Sequence, residues 1–316
     1  MTSRKCREAS FEGADGVVCS TTNNPVTLTN HPVCAGFGGF AKSDLWRSHP
    51  SLSKEGSLLA WNRQQHYLGF TYVIIITNTS TKIEGSMSRQ HSVQTHLNVT
   101  AVEYDRLIRT VIPDYEEMLS TISWWLSQIV PTDGSIIDLG GGTGSLAHSV
   151  LRNLPHVRLE IWDVDRQMLA VARDRLQMFD DRITLRERSF TETLDACNGV
   201  MATLSLHHLH TLDEKRSVYT AVFEALTSPG IFLIGDCAMD PTEPAQSILR
   251  RYWTAFMGQH GITEAEAHKH FSDWNKEDTY QQIFDELQAL CQAGFQHPEV
   301  FWRKGPMTVY GGIKSA

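Results

Sequence analysis

Ser-Ile-Ile-Asp-Leu-Gly-Gly-Gly-Thr-Gly-Ser-Leu-Ala, at residues 135–147, decides the fold of this chain. Apolar β-branched residues lead into an acid, a run of glycines follows, and a helix-forming segment comes next. This order predicts a buried strand, a tight turn and a helix N-terminus. Glycines at positions 140, 142 and 144 let the backbone turn sharply and approach a ligand closely. The helix that follows would point its free N–H groups at that ligand.

A second acidic residue follows at a distance that fits a nucleoside site. Residues 157–163 read Val-Arg-Leu-Glu-Ile-Trp-Asp, and Asp163 lies 19 residues after Gly144. A carboxylate at the end of the second strand can accept hydrogen bonds from both hydroxyls of a ribose. The dinucleotide fingerprint G-x-G-x-x-G would need a glycine where this chain has Ser145. The pattern therefore predicts a nucleoside cofactor and disfavours a nicotinamide oxidoreductase.

The bulk composition limits the classes of partner. The 316 residues are 41% hydrophobic and 20% charged, as in globular proteins, and the formal charge of −8 disfavours a broad grip on nucleic acid. The six cysteines are scattered and show no zinc spacing, so we expect free thiols and no metal site. The most apolar run, residues 68–76, is too short to span a bilayer, and the N-terminus lacks the pattern of a signal peptide. We expect a cytoplasmic protein with no membrane partner.

The change in residue composition along the chain predicts one catalytic domain with an extension before it. Residues 1–86 are rich in Ser, Thr, Asn and Gly, and we expect a poorly ordered N-terminal extension there. Residues 87–316 would form the domain, with a helical cap at about 100–130 and an insert at about 240–275. Strands and helices alternate within it, so we predict an α/β fold with a doubly wound Rossmann-like sheet. An antiparallel C-terminal hairpin would close the chain.

Flanking motifs make the resemblance more specific. Tyr104-Asp-Arg and Ile112-Pro-Asp-Tyr stand ahead of the glycine turn, and Ala293-Gly-Phe-Gln-His-Pro-Glu stands near the end. With Asp138 and the glycines at 140–144, the chain resembles the class I S-adenosylmethionine-dependent methyltransferases over about residues 100–314. The flanking motifs resemble the branch that holds carboxy-S-adenosylmethionine synthase, whose layout several small-molecule methyltransferases share.

The resemblance implies S-adenosylmethionine as cofactor and a set of residues that bind it. The glycine turn would hold its amino-acid end, Asp163 its ribose, and Val164 and Met168 its adenine. Relatives carry an acid beside the adenine amine where this chain has Ser189, so that contact would come from Ser189, a backbone carbonyl or water. The predicted cofactor residues are Tyr115, Asp138, Gly140, Gly141, Gly142, Gly144, Asp163, Val164, Met168, Ser189, Phe190 and Thr203.

Acceptor chemistry would lie just past the fourth strand, in Ser-Leu-His-His-Leu-His at residues 205–210. Methyl transfer needs mainly alignment, and a base only where the acceptor holds its proton. His207 and His208 are the candidate general bases, with a structural role for at least one of them left open, whereas we expect His210 at the surface. The predicted acceptor-binding residues are Tyr104, Arg109, Trp253, Trp274 and Arg303.

Three functions remain open from the sequence. The first is methyl transfer to a small or medium-sized acceptor. The second is formation of carboxy-S-adenosylmethionine for tRNA wobble-uridine modification. That reaction would need cationic residues to hold the added carboxylate, and the segment where relatives place them, residues 246–251, differs in this chain. The third is a non-catalytic methyltransferase-like subunit, which an intact Asp138 and Asp163 disfavour. We expect a small-molecule partner rather than tRNA, and the sequence leaves a homodimer open.

Overall fold

The computed structural model describes residues 100–315. The predicted extension at residues 1–86, and the predicted start of the domain at Met87, lie outside the described residues. Within residues 100–315, seven strands form one sheet: β1 Ser135–Leu139, β2 Arg158–Asp163, β3 Ile183–Glu187, β4 Cys197–Thr203, β5 Leu226–Cys237, β6 Glu299–Lys304 and β7 Met307–Lys314. Eight α-helices accompany them in this part of the chain: α1 Ala101–Val111, α2 Tyr115–Ile129, α3 Ser145–Asn153, α4 Arg166–Leu176, α5 Leu212–Ala225, α6 Ala245–Gln259, α7 Glu264–Trp274 and α8 Ile283–Ala293.

The strand order is β3-β2-β1-β4-β5-β7-β6. Strands β1 to β5 run parallel, while β7 is antiparallel to both β5 and β6. The prediction of a doubly wound α/β sheet with an antiparallel C-terminal hairpin is confirmed. The chain winds outward from β1 to β3 and then returns to place β4 on the other side of β1. A crevice forms outside the carboxyl ends of the strands at such a reversal, and ligands bind there.

Helices cover both faces of the sheet, which explains why its central strands are almost wholly apolar. Alternation along β1 sends Ile136 into the core on one face and Ile137 and Leu139 into the core on the other. Helices α2 and α3 pack on the first face, and α5 and α8 pack on the second. Helices α1, α6 and α7 extend the first core beyond the strand ends, where they cover the crevice.

Local signals set the start and end of the first cap helix. Thr100 and Glu103 form a capping box at the N-terminus of α1, and the helix ends just before Pro113. Asp114 then takes a left-handed conformation with φ of 54°, and α2 begins at Tyr115. Proline in the chain at position 113 predicts such a break, and the structure confirms it.

Two element boundaries differ from what the sequence pattern predicts. The amphipathic pattern predicts a helix over residues 277–293, but α8 begins at Ile283 because residues 278–282 run as a loop over the crevice. The backbone N–H of Thr279 in this loop donates to the carbonyl of His207 at 2.8 Å. Pro229 and Gly230 predict a turn before a strand at 231–236, but β5 begins already at Leu226, which pairs with Cys197.

No helix within residues 100–315 combines the length and the apolar character that a membrane span requires.

Candidate active site

A cavity opens at the carboxyl ends of β1, β2 and β4, beneath the cap helices. It brings together most of the residues that the sequence predicts for the site. The predicted residues that line it are Tyr104, Tyr115, Asp138, Gly140, Gly141, Gly142, Asp163, Val164, Met168, Phe190, Thr203, His207, His208, Trp253 and Trp274. Arg188 and Asp278 also line it, although no sequence pattern marks them as site residues, and so does Tyr280, one of the aromatic residues concentrated outside the predicted sheet.

The glycine turn is packed too tightly for side chains. At Gly140, φ is +67°, and an added Cβ would lie 2.5 Å from Cβ of Ser205. At Gly141, an added Cβ would lie 2.8 Å from Oδ2 of Asp138. Gly142 instead donates its backbone N–H to Oδ2 of Asp163 at 2.9 Å, which joins the turn to the end of β2. The positive φ at Gly140 and the close approach of the Ser205 and Asp138 side chains therefore favour glycine at positions 140 and 141.

Asp138 is a buried acid that no described residue pairs with. Its side chain is 1% exposed and lines the cavity, yet within residues 100–315 neither carboxylate oxygen has a hydrogen-bond partner. Burial, with a smaller effect of the Asp163 charge, raises the pKa of Asp138 to about 8. Ionisation of a buried acid without a partner is costly, and a cationic ligand would remove that cost. The Thr203 hydroxyl at the end of β4 is likewise buried and has no hydrogen-bond partner among the described residues.

Asp163 is held in place by backbone donors. Its Oδ1 accepts from the backbone N–H of Asp165 at 2.8 Å, while Oδ2 accepts from Gly142. Burial raises the pKa of Asp163 to about 6, although these N–H groups act in the opposite direction. Asp165 in turn caps α4 through the N–H of Gln167. The carboxylate is therefore fixed at the position where a ribose would meet it.

The neighbouring wall is apolar and suits a flat ring. Val164, Met168 and Phe190 line it, as predicted, and the Arg188 guanidinium lies 4.0 Å from the centre of the Trp162 ring. Ser189, which the sequence assigned to an adenine contact, does not line the cavity, because its hydroxyl lies 2.8 Å from that of Thr191.

Gly144 also lies away from the cavity. An added Cβ there would meet Leu176 at 3.0 Å, so this glycine lets α3 pack against α4. Gly144 therefore packs on the side of the turn that faces α4, away from the cavity.

Asp105 ties the cap to the glycine turn. Its Oδ1 accepts from the Thr143 hydroxyl at 2.6 Å and from the Ser145 hydroxyl at 3.1 Å, and Arg175 forms an ion pair with the same carboxylate. This network fixes α1 over the turn and places Tyr104 and Tyr115 in the cavity wall. Burial raises the pKa of Tyr115 to about 12, so its hydroxyl remains protonated at neutral pH.

His207 is oriented by a buried carboxylate on β5. Its Nδ1 lies 2.7 Å from Oδ1 of Asp236, and its backbone N–H donates to Oδ2 of Asp236 at 3.2 Å. Burial by itself would lower the pKa of His207, but the Asp236 carboxylate outweighs this effect and the pKa is raised. Hydrogen bonding at Nδ1 leaves Nε2 as the nitrogen that faces the cavity end near Asp278.

Asp278 brings the two histidines together from a distant part of the chain. Its Oδ1 lies 3.3 Å from Nδ1 of His208 and 3.7 Å from Nε2 of His207, while its Oδ2 accepts from the Tyr280 hydroxyl at 2.7 Å. Burial would raise the pKa of Asp278, but the hydrogen bond from His208 and the nearby imidazoles hold it at about 2. Sequence reasoning does not find Asp278, because the amphipathic pattern over residues 277–293 predicts a helix there instead of a loop at the site.

Two arginines predicted for acceptor binding do not line the cavity. Arg109 pairs instead with Glu116 at 2.7 Å and lies over the Tyr115 ring, outside the cavity wall. Arg303 donates to the backbone carbonyls of Gly305 and Ala238 at 3.4 and 3.5 Å. Backbone and surface partners thus hold both guanidinium groups away from the site.

The two tryptophans predicted for acceptor binding do line the cavity, unlike the two arginines. Trp253 donates its indole N–H to the carbonyl of Val111, which joins α6 to α1, and its ring centre lies 5.4 Å from that of Trp274. Both rings and Tyr280 line the cavity on the side of the two histidines. The three rings form an apolar wall there.

Comparisons with known proteins agree with this geometry. A family model described as a methyltransferase domain matches residues 137–232. Carboxy-S-adenosyl-L-methionine synthase of Campylobacter lari is 24% identical over 44% of this chain, and the match spans 59% of that enzyme. The synthase of Nautilia profundicola is 22% identical over 63% of this chain and 86% of the enzyme.

A solved structure shares the fold over a larger part of the chain. A presumed O-methyltransferase of Nostoc punctiforme has a TM-score of 0.51 and 17% identity, and the match covers 75% of this chain and 64% of that one. Together with the glycine turn, Asp163 and the strand order, these findings place the chain in the class I S-adenosylmethionine-dependent methyltransferases. Its sequence is similar to the branch of the carboxy-S-adenosylmethionine synthases.

Proposed function

We propose that this chain transfers a methyl group from S-adenosylmethionine to a small or medium-sized acceptor. One observation carries the proposal: the Asp138 carboxyl group, which has no hydrogen-bond partner among residues 100–315, lies in the same cavity as Asp163 and the His207–His208 pair. A cationic ligand would pair with Asp138, and a ribose would meet Asp163. The opposite end of the cavity then receives the acceptor.

The residues present fit S-adenosylmethionine. Asp138 and the glycine turn would hold the cationic amino-acid end, Asp163 would accept the ribose hydroxyls, and Val164 and Met168 would pack on the adenine. When bound, this cofactor supplies an activated methyl group to an oxygen, nitrogen, carbon or sulfur nucleophile. Helices α1, α6 and α7 cover the cavity and would exclude water from it.

The acceptor would lie between the aromatic wall and the histidines. Trp253, Trp274 and Tyr280 offer apolar surface to a molecule of modest size. His207 and His208 are the ionisable groups at this end, and we propose that they take up the proton of an acceptor that is still protonated at neutral pH. Asp236 fixes the orientation of the His207 ring for that role.

The rival reaction, formation of carboxy-S-adenosylmethionine, draws support from the sequence similarity to the synthases. It would need a cation for the added carboxylate. Among the described residues that line the cavity, Arg188 is the one arginine or lysine, and it stacks on Trp162 beside the predicted adenine wall. Arg250 lies over the Phe271 ring instead. We therefore rank methyl transfer first.

A non-catalytic role ranks third, because the cofactor end keeps both Asp138 and Asp163. A cytoplasmic setting and a small-molecule acceptor rather than tRNA remain predictions, and a homodimer remains open.

Identification of a co-purifying small molecule tests the proposal. Native mass spectrometry of the full chain, followed by denaturation and analysis of what is released, would yield S-adenosylmethionine or its demethylated product. A species heavier by one carboxylate would favour the rival reaction. No released molecule, together with no thermal shift on adding S-adenosylmethionine, would contradict both reactions and favour the non-catalytic subunit.

A further inference from the structure

Three side chains at the acceptor end have the composition and spacing of a metal site. His207, His208 and Asp278 each offer one ligand atom, and these atoms lie within 4.8 Å of one another. Oδ1 of Asp278 lies 3.3 Å from Nδ1 of His208 and 3.7 Å from Nε2 of His207. Ligand atoms in a tetrahedral zinc site lie about 3.3 Å apart, given metal–ligand distances of about 2.0–2.1 Å. Small side-chain adjustments would bring the three atoms to that spacing.

The surroundings of these three side chains match those of metal ligands. Histidines that bind metals usually donate the other ring N–H to a carboxylate, and Asp236 lies 2.7 Å from Nδ1 of His207. The Tyr280 hydroxyl donates to Oδ2 of Asp278 and holds that carboxylate with Oδ1 toward both imidazoles. Each of these two candidate ligands is thus fixed by a partner on its far side.

Electrostatics at the cluster also favour a cation. The carboxylates of Asp236 and Asp278 lie 2.7 and 3.7 Å from the two ring nitrogens of His207, so two acids share one imidazole. A divalent cation bound at Nε2 would offset this excess of negative charge. The cluster is largely buried and faces the cavity, so a bound ion would keep a position open to a ligand.

We infer that His207, His208 and Asp278 bind a divalent transition-metal ion at the acceptor end of the cavity. Two imidazole nitrogens with one carboxylate oxygen suit Zn²⁺, Mn²⁺, Fe²⁺ or Co²⁺ better than Mg²⁺ or Ca²⁺. Three protein ligands with an open position are typical of catalytic rather than structural zinc. The sequence predicted no metal site because Asp278 lies 70 residues after His208.

The use of this ion rests on the proposed function, whereas its binding does not. An ion at this position would contact an acceptor hydroxyl and lower its pKa, so that the hydroxyl proton is lost to solvent near neutral pH. The ion would then replace the two histidines as the means of activating the acceptor. The acceptor class becomes an alcohol or phenol whose oxygen can reach the metal.

Titration of zinc into the metal-free protein tests the inference. The full chain is treated with a chelator, and Zn²⁺ is then added in competition with a chromophoric chelator. Co²⁺ serves as a second probe, because its visible spectrum reports ligand type and coordination number. We expect one high-affinity equivalent of Zn²⁺ per chain. His208→Ala and Asp278→Asn should each weaken binding by about tenfold or more.

His210→Ala is the matched control, since His210 is exposed, lies two residues from His208 and is outside the cluster. This variant should bind Zn²⁺ as the unaltered chain does. Binding of S-adenosylhomocysteine, measured in parallel, checks that each variant is folded. Zinc affinity that is unchanged in both His208→Ala and Asp278→Asn, or no binding by the unaltered chain, would overturn the inference. Failure of the unaltered chain to bind S-adenosylhomocysteine would instead count against the proposed function.

Discussion

The backbone N–H of Gly142 donates to Oδ2 of Asp163 at 2.9 Å, which locks the glycine turn of β1 to the acid that ends β2. The two halves of the predicted cofactor site thus form one rigid unit before any ligand binds. Preorganisation of this kind reduces the entropy lost on binding. The same bond also means that Asp163 has a structural role beside the ribose contact that we propose for it.

Asp163→Ala should weaken S-adenosylhomocysteine binding at least about tenfold, on the order of 1.4 kcal/mol, because two hydroxyl contacts are lost. Asp163→Asn is the matched variant, since its amide oxygen can still accept from Gly142. Isothermal titration calorimetry of both variants separates the roles of charge and of the turn. Unchanged affinity in Asp163→Ala would mean that the ribose lies elsewhere.

Asp138→Asn should stabilise the ligand-free chain. The pKa of Asp138 is about 8 in the folded chain and near 4 in an unfolded one. Between these pH values the unfolded chain loses the proton that the folded chain keeps, so the free energy of unfolding falls as pH rises. Asparagine does not ionise, so the variant does not lose this free energy. For a pKa shift from near 4 to about 8, the loss amounts to about 4 kcal/mol at pH 7.

Urea unfolding at pH 5 and pH 7 measures this effect. The advantage of Asp138→Asn over the unaltered chain should grow between the two values, while its affinity for S-adenosylmethionine falls. Such an opposition of stability and binding is typical of functional sites. An advantage that does not change with pH would show that Asp138 is not the group whose ionisation opposes folding.

Asp105→Ala should loosen the cap. The substitution removes the acceptor for Thr143, Ser145 and Arg175 and leaves a partly buried guanidinium without its carboxylate. We expect a loss of about 1–3 kcal/mol in the free energy of unfolding and weaker S-adenosylhomocysteine binding. Thermal unfolding with and without ligand gives both quantities.

Arg109→Ala is the control for this prediction. Its ion pair with Glu116 is exposed, and such pairs contribute about 0–1 kcal/mol. Equal effects of Asp105→Ala and Arg109→Ala would show that the Asp105 network does not fix the cap.

Deletion of residues 1–86 should leave cofactor binding intact. The described sheet and cavity are built from residues after position 100, and the sequence predicts an extension before Met87. Calorimetry with S-adenosylhomocysteine on the shortened chain measures this. A shortened chain that no longer folds would show that the extension is part of the domain.

The elements that position the cofactor could be predicted because their signals are local. Strand β1 and helix α3 occupy the predicted residues, since β-branched residues, glycines and a helical period are contiguous in 135–153. The position of Asp163 at the end of β2 could be predicted because its spacing from the glycines follows from the length of one helix and one strand. These predictions needed no knowledge of distant contacts.

The acceptor end could not be predicted in the same way. Asp236 and Asp278 reach His207 from β5 and from the loop before α8, so their roles depend on tertiary packing. Their positive charge makes Arg109 and Arg303 candidates for acceptor binding. However, partners near them in the chain hold both side chains outside the cavity. A charged residue near a site in sequence carries little information about where its side chain goes.

A crystal structure of the full chain with S-adenosylhomocysteine is the most direct measurement of the central claim. We predict the ribose hydroxyls on the carboxylate of Asp163 and the ammonium group within hydrogen-bond distance of Asp138. Density for the ligand elsewhere, or a bound ligand that leaves Asp138 without a contact, would contradict the account.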